Sequence, residues 1–148
     1  MLNAESKKSM AYTGTCLCKG VSFTVHDNPN AVYCCRCRDC AIGAGSSCQI
    51  TATYFTPKFT LHDPEQIATG YITTNTVSGR SKVKCFCGRC GCTIFTIPTP
   101  DGPEETVIRV VLIENGLETF KPSIECFVKN RPSYLRETET AQQYATMP

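Results

Sequence analysis

The chain has no tryptophan, only two histidines, no long apolar run and no excess of either charge. Each shortage excludes something. Fifteen basic against thirteen acidic residues give a net charge of +2, so there is no broad basic face for nucleic acid and no acidic tail. The N-terminal MLNAESKKSM carries lysines with no apolar stretch behind them. That pattern predicts neither a signal peptide nor a membrane helix, and points to a cytoplasmic protein with no membrane partner. Internal repeats, heptads and low-complexity tracts are also missing. Of the two histidines, His26 enters an Asp-Asn-Pro turn and His62 precedes a proline turn, so both read as exposed polar residues rather than ligands.

What the chain has in quantity is cysteine, twelve in 148 residues. Disulfides would require an oxidising compartment, whereas reducing cytosol leaves thiols free for metals. The spacing agrees with metal binding, because close pairs recur at Cys16/Cys18, Cys35/Cys37/Cys40 and Cys87/Cys90. Tyr33 to Cys40 is the densest stretch. Its C-x-C-x-x-C lets a tight turn bring Cys35, Cys37 and Cys40 to about 2.3 Å from one Zn²⁺. Cys34 should point to the opposite face if the segment is extended. Three protein ligands leave a fourth position for substrate or water, the usual arrangement of catalytic zinc. Cys16 and Cys18 lack two partners, and Cys87 and Cys90 supply them. Four thiolates would then close a structural zinc that ties the first strand to a distant segment. Two Zn²⁺ per chain are expected.

At this length one domain is expected, with residues 1–11 a flexible tail and 12–148 a single zinc-binding domain. Period-two patterns and β-branched composition predict strands at Val21–Val25, Ala31–Tyr33, Cys48–Phe55, Phe59–Leu61, within Ile67–Thr76, and at Thr93–Ile97 and Thr106–Ile113, the last the most apolar. Ala41–Ser47 suits a short helix or a tight loop, since two glycines oppose a long helix. Pro98–Glu105 reads as a hairpin loop, and Gly88 and Gly91 as turn positions needing unusual backbone angles. The segment from Arg131 to Tyr144 reads as a short helix and a final wrapping segment. Arg36, Arg38 and Lys84 either orient a substrate carboxylate or only balance thiolate charge, and the residues favour neither. Cys34, Cys48, Cys85, Cys92 and Cys126 are surplus to the two sites and read as small buried residues, with Cys34 redox-sensitive if exposed.

Gly14-x-Cys16-x-Cys18-x-Gly20, C-x-C-x-x-C at Cys35, Cys37 and Cys40, and Phe86-Cys87-x-x-Cys90-Gly91-x-x-x-Phe95 together resemble the glutathione-dependent formaldehyde-activating enzyme (GFA) family, also called centromere protein V-like. The resemblance continues through Phe127-Val-x-x-Arg131-x-x-Tyr134 and Gln143-Tyr144. It implies a mainly β, Mss4-like fold with few short helices, a structural zinc on Cys16, Cys18, Cys87 and Cys90, and a catalytic zinc on Cys35, Cys37 and Cys40. It also implies a carbon-sulfur lyase acting on a small carbonyl or a glutathione-type thiol adduct. Arg36 and Glu125 stand where the family commonly has histidine, Cys92 where it usually has threonine, and Tyr134 where tryptophan is frequent. Three thiolates make zinc a poor activator of water, which weakens a hydrolase reading but leaves addition or elimination at carbon. Two alternatives stand beside the lyase. One is a related zinc enzyme converting a small organic acid by decarboxylation, dehydration or isomerisation. The other is a non-catalytic zinc module for binding proteins.

Overall fold

Alternating apolar and polar residues through most of the chain produce strands, and eleven of them form two sheets among the residues described in the computed structural model, 9–98 and 104–148. The strands are β1 (Ala11–Thr15), β2 (Ser22–His26), β3 (Ala31–Cys35), β4 (Gln49–Phe55), β5 (Phe59–His62), β6 (Ala68–Thr73), β7 (Lys82–Cys87), β8 (Thr93–Ile97), β9 (Glu105–Arg109), β10 (Ile124–Cys126) and β11 (Gln142–Gln143). Two short helices interrupt them, α1 (Arg38–Ala44) and α2 (Gly116–Thr119). The fold is mainly β, as expected.

The smaller sheet has the order β1-β2-β5 and the larger β11-β10-β3-β4-β9-β8-β7-β6. Pairing is antiparallel except at one edge, where β10 runs parallel to both β3 and β11. Side chains alternate between faces, so the register sorts the large sheet into two sets. Val32, Ala52, Tyr54 and Ile108 turn to one face and pack with Phe23 and Val25 of the smaller sheet. The joint between sheets is aromatic: Phe59 lies with its ring centroid 5.6 Å from that of Phe23 and 4.8 Å from that of Phe95. The opposite face carries Tyr33, Cys35, Gln49, Thr51 and Arg109, and it is here that the cysteine chemistry gathers.

Several sequence expectations change in detail. The apolar run Thr106–Ile113 is not one strand: β9 ends at Arg109 and Val110–Leu112 form a 3₁₀ turn that exposes Val111. Ile113 then bridges to Gly14 of the smaller sheet. Residues 131–144 contain no helix; a 3₁₀ turn at Val128–Asn130 is followed by irregular chain and then β11. β1 already includes Ala11, and Met10 accepts a hydrogen bond from Asp27. The rest of the expected tail, residues 1–8, and residues 99–103 of the expected hairpin loop lie outside the described residues.

Glycine is required where chain meets chain. A Cβ on Gly116 would stand 2.0 Å from the Val110 carbonyl oxygen, which is backbone and cannot swing away. Gly43, inside α1, would meet nothing closer than Lys84 Nζ at 3.9 Å. Gly116→Ala should therefore lower stability by about 2 kcal/mol or more in urea denaturation, while Gly43→Ala, which removes a poor helix former, should leave it unchanged or raise it.

Candidate metal centres

Two groups of sulfurs converge, and they are the two read from the sequence. Cys16, Cys18, Cys87 and Cys90 hold their Sγ atoms within 4.8 Å of one another, and so do Cys35, Cys37 and Cys40. All twelve cysteines are free thiols.

In the four-cysteine group, the Cys16–Cys18 and Cys18–Cys87 sulfur separations are both 3.6 Å. Four sulfurs at about 2.3 Å from one tetrahedral ion would sit about 3.8 Å apart, against about 2.05 Å in a disulfide. The donor set and spacing therefore fit Zn²⁺. Two turns build the group. After β1 the chain folds back through Lys19, whose φ is +63°, so that Val21 N–H donates to Cys16 Sγ at 3.4 Å. After β7, Gly91 at φ +73° donates to the Cys87 carbonyl at 2.8 Å. Gly88 is needed for space rather than for an unusual angle: its N–H donates to the Ile67 carbonyl at 2.8 Å, and a Cβ would lie 2.8 Å from that same oxygen.

The three-cysteine group forms where β3 runs into α1. Cys35 ends the strand, Cys37 caps the helix, and Cys40 sits in its first turn. Cys37 is extended (φ −63°, ψ 153°) and its Sγ accepts from Cys40 N–H at 3.4 Å, as a serine or aspartate cap would accept through oxygen. Gly45, at φ +62°, ends the helix by donating to Ile42 at 3.1 Å. Three sulfurs this close cannot all carry charge without a cation. Hydrogen bonds from Cys35 and Cys40 hold the Cys37 thiol down to about 2, while Cys35 and Cys40 are pushed up. The crowding and the all-sulfur donor set fit a bound soft cation.

Around the trio lie Tyr33, Ile124, Phe127, Tyr144 and Cys126. Cys126 is fully buried and is the register partner of Cys35 across β3 and β10; the Cys35 thiol holds that of Cys126 down. Sequence spacing did not connect Cys126 to this site, because the connection is made by a parallel pairing between segments about ninety residues apart. Cys34 faces away and is buried, not exposed, so it offers no accessible redox site; Cys48, which pushes the Cys34 thiol up, is half-buried rather than fully so.

The three basic residues singled out from the sequence have different surroundings. Arg36 is buried, with Nε 2.6 Å from Glu125 Oε1 and Nη1 3.4 Å from Ser47. Arg38 is exposed at the start of α1. Lys84 reaches across from β7 to within 3.7 Å of Asp39 on α1. Glu125 is the hub of the buried charges: it accepts from Arg36, from Arg131 at 3.2 Å, from Thr138 N–H at 2.8 Å and from Gln143 Nε2 at 2.8 Å. Burial opposes its ionisation, but the Thr138 amide, Arg36, Gln143 and Arg131 outweigh that and hold the carboxyl down to about 2. A carboxyl depressed in this way stabilises the fold fully above the ordinary carboxylate range, and the contribution is lost as pH falls towards 2. Arg36 and Glu125 thus touch each other.

Another residue the sequence reading passed over is Arg109. Its signal was a charge standing inside the most apolar stretch of the chain. It is buried at the end of β9, on the Cys35 face of the sheet, with Nη2 2.7 Å from Thr96 Oγ1 and Nη1 3.2 Å from the Val107 carbonyl.

The profile of the glutathione-dependent formaldehyde-activating enzyme family matches residues 11–130. The crystal structure of a Rhodobacter sphaeroides protein is similar in fold, with a TM-score of 0.53 over 69% of this chain and 87% of that one at 23% identity. Comparison with curated proteins gave no match.

Removing one member of a buried ion pair strands the other, whereas removing both does not. Glu125→Gln and Arg36→Met should each destabilise by about 3 kcal/mol or more, and the double variant by clearly less than the sum. A double-mutant cycle in urea checks this; strict additivity would show that the pair is not coupled.

Proposed function

Because the chain belongs to the glutathione-dependent formaldehyde-activating enzyme family, we propose that it is a zinc-dependent carbon-sulfur lyase acting, in the synthetic direction, on a small carbonyl compound and a glutathione-type thiol. The observation that carries this reading is the contrast between the two sulfur groups: four members in one, three in the other. A closed set suits a structural ion, and an incomplete set suits an ion that meets substrate. Residues 12–148 act as one zinc-binding domain in this reading, and a reducing compartment such as the cytoplasm suits twelve free thiols.

The residues that fit a catalytic zinc are Cys35, Cys37 and Cys40, and Cys16, Cys18, Cys87 and Cys90 fit the structural one. When bound at the three-cysteine site, zinc supplies a soft Lewis-acid position suited to a thiol sulfur or a carbonyl oxygen. The reaction balances without redox change: a carbon-sulfur bond forms as the carbonyl π bond breaks, and the thiol proton ends on the new hydroxyl oxygen. The chain's task is to orient the two reactants and exclude competing water. Tyr33, Phe127 and Tyr144 wall the site with apolar surface, which favours exclusion. Of the three basic residues, Arg36 is engaged by Glu125 and Lys84 by Asp39, which leaves the exposed Arg38 as the cation free to orient a substrate carboxylate.

A second reading rests on Cys126, which shares the buried cluster of the trio although its sulfur lies outside the converging group. If its thiol completed the trio, the site would be closed and the protein a non-catalytic zinc module. Exchange NMR on ¹³C-formaldehyde and glutathione separates the two. The lyase reading expects S-hydroxymethylglutathione to form faster than without protein, the acceleration to vanish in Cys37→Ser, and to survive in Cys126→Ser. A metal-replete protein giving only the uncatalysed rate would sink it.

A further inference from the structure

A cavity of about 450 Å³ lies between the end of α1, the start of β4, the turn after Cys90 and the segment that follows β9. That volume is in the range of small-molecule sites. Its wall is largely apolar, with Ile50, Val111, Leu112 and Leu117, and the polar side chains of Ser46, Gln49 and Thr93 add neutral hydrogen-bonding groups. Arg109 is its single charged residue among those described.

Arg109 is 5% exposed, and its partners are all neutral: Thr96 Oγ1 and the Val107 carbonyl. A guanidinium carries five N–H donors, and these contacts use two. Nε is buried and has no acceptor. No carboxylate pairs with Arg109 among the described residues, unlike Arg36, whose charge Glu125 meets. Burial draws the guanidinium down to about 10, opposed by the sulfurs of Cys40 and Cys35, so it remains cationic at neutral pH. In the sheet Arg109 aligns with Thr51 and Tyr33, while Gln49 aligns with Cys35. It therefore stands on the face of Cys35, two strands across and two residues further along.

We propose that Arg109 is the anion-recognition residue of this cavity, receiving the carboxylate of a small monocarboxylic acid whose apolar body rests on Ile50, Leu112 and Leu117. None of Cys35, Cys37 and Cys40 lines the cavity, so the proposal stands apart from the lyase reading. A single guanidinium suits a monoanion rather than a phosphate dianion, and its planar fork matches a carboxylate. Binding would give the buried charge its counter-ion through guanidinium donors that Thr96 and Val107 leave free.

The test uses benzoate, with benzamide as its neutral counterpart of similar shape. In zinc-loaded protein the Arg109 Nε–H resonance, assigned by its loss in Arg109→Lys, should shift saturably with benzoate, and benzoate should bind at least tenfold tighter than benzamide. Arg109→Gln and Arg109→Lys proteins that keep their zinc and circular dichroism should lose at least most of that preference. Equal binding of the two probes, an unmoved Nε–H at saturating benzoate, or a preference retained in a folded variant overturns the proposal. Should the variants unfold, the titration of the unaltered protein decides alone. Benzoate binding at Arg109 in a protein without lyase turnover overturns the lyase reading and not this one; turnover with no response at Arg109 overturns this one and not the lyase.

Discussion

The approach of Cys18 and Cys87, 69 residues apart in sequence with their sulfurs 3.6 Å apart, is the constraint on which most of the architecture turns. It fastens the smaller sheet, through the turn between β1 and β2, to β7 near the far edge of the larger one. Closing a loop of that length costs about 4 kcal/mol of chain entropy, whereas a four-thiolate zinc contributes about 10 kcal/mol or more. The metal outweighs the closure. The aromatic joint of Phe23, Phe59 and Phe95 then packs between sheets already held in place.

The larger sheet divides chemistry from core by simple alternation. On β3, Val32 and Cys34 turn towards one side while Tyr33 and Cys35 turn towards the other. Cys35 is thereby delivered to the helix start that carries Cys37 and Cys40, and the same face carries Arg109 on β9. Beyond Cys35 the chain is anchored again, by Arg36 on Glu125. Since Arg36 lies between two members of the trio, that buried pair fixes the backbone from which Cys35 and Cys37 project.

Much of this was legible in the sequence because it is local. Period-two patterning marked β2, β4 and β8, and cysteine spacings of two and three residues marked both sulfur groups. What escaped depended on distant pairing. Cys126 reaches Cys35 only through a parallel register, and Glu125 meets Arg36, Arg131, Thr138 and Gln143 only once the C-terminal segment has wrapped. The break at Arg109 escaped for another reason. An apolar run shows burial but not where the chain stops being a strand, and Gly116, tucked against the Val110 carbonyl, helps to set that turn.

The central claim is that the two sulfur groups are separate metal sites, one holding the fold together and one open to substrate. Elemental analysis of zinc per chain tests it most directly, comparing the unaltered protein with a Cys35→Ser/Cys37→Ser/Cys40→Ser variant, both purified under reducing conditions. Two equivalents falling to one, in a variant whose circular dichroism is unchanged, is the predicted result. One equivalent in both proteins, with none gained on adding zinc, would contradict it.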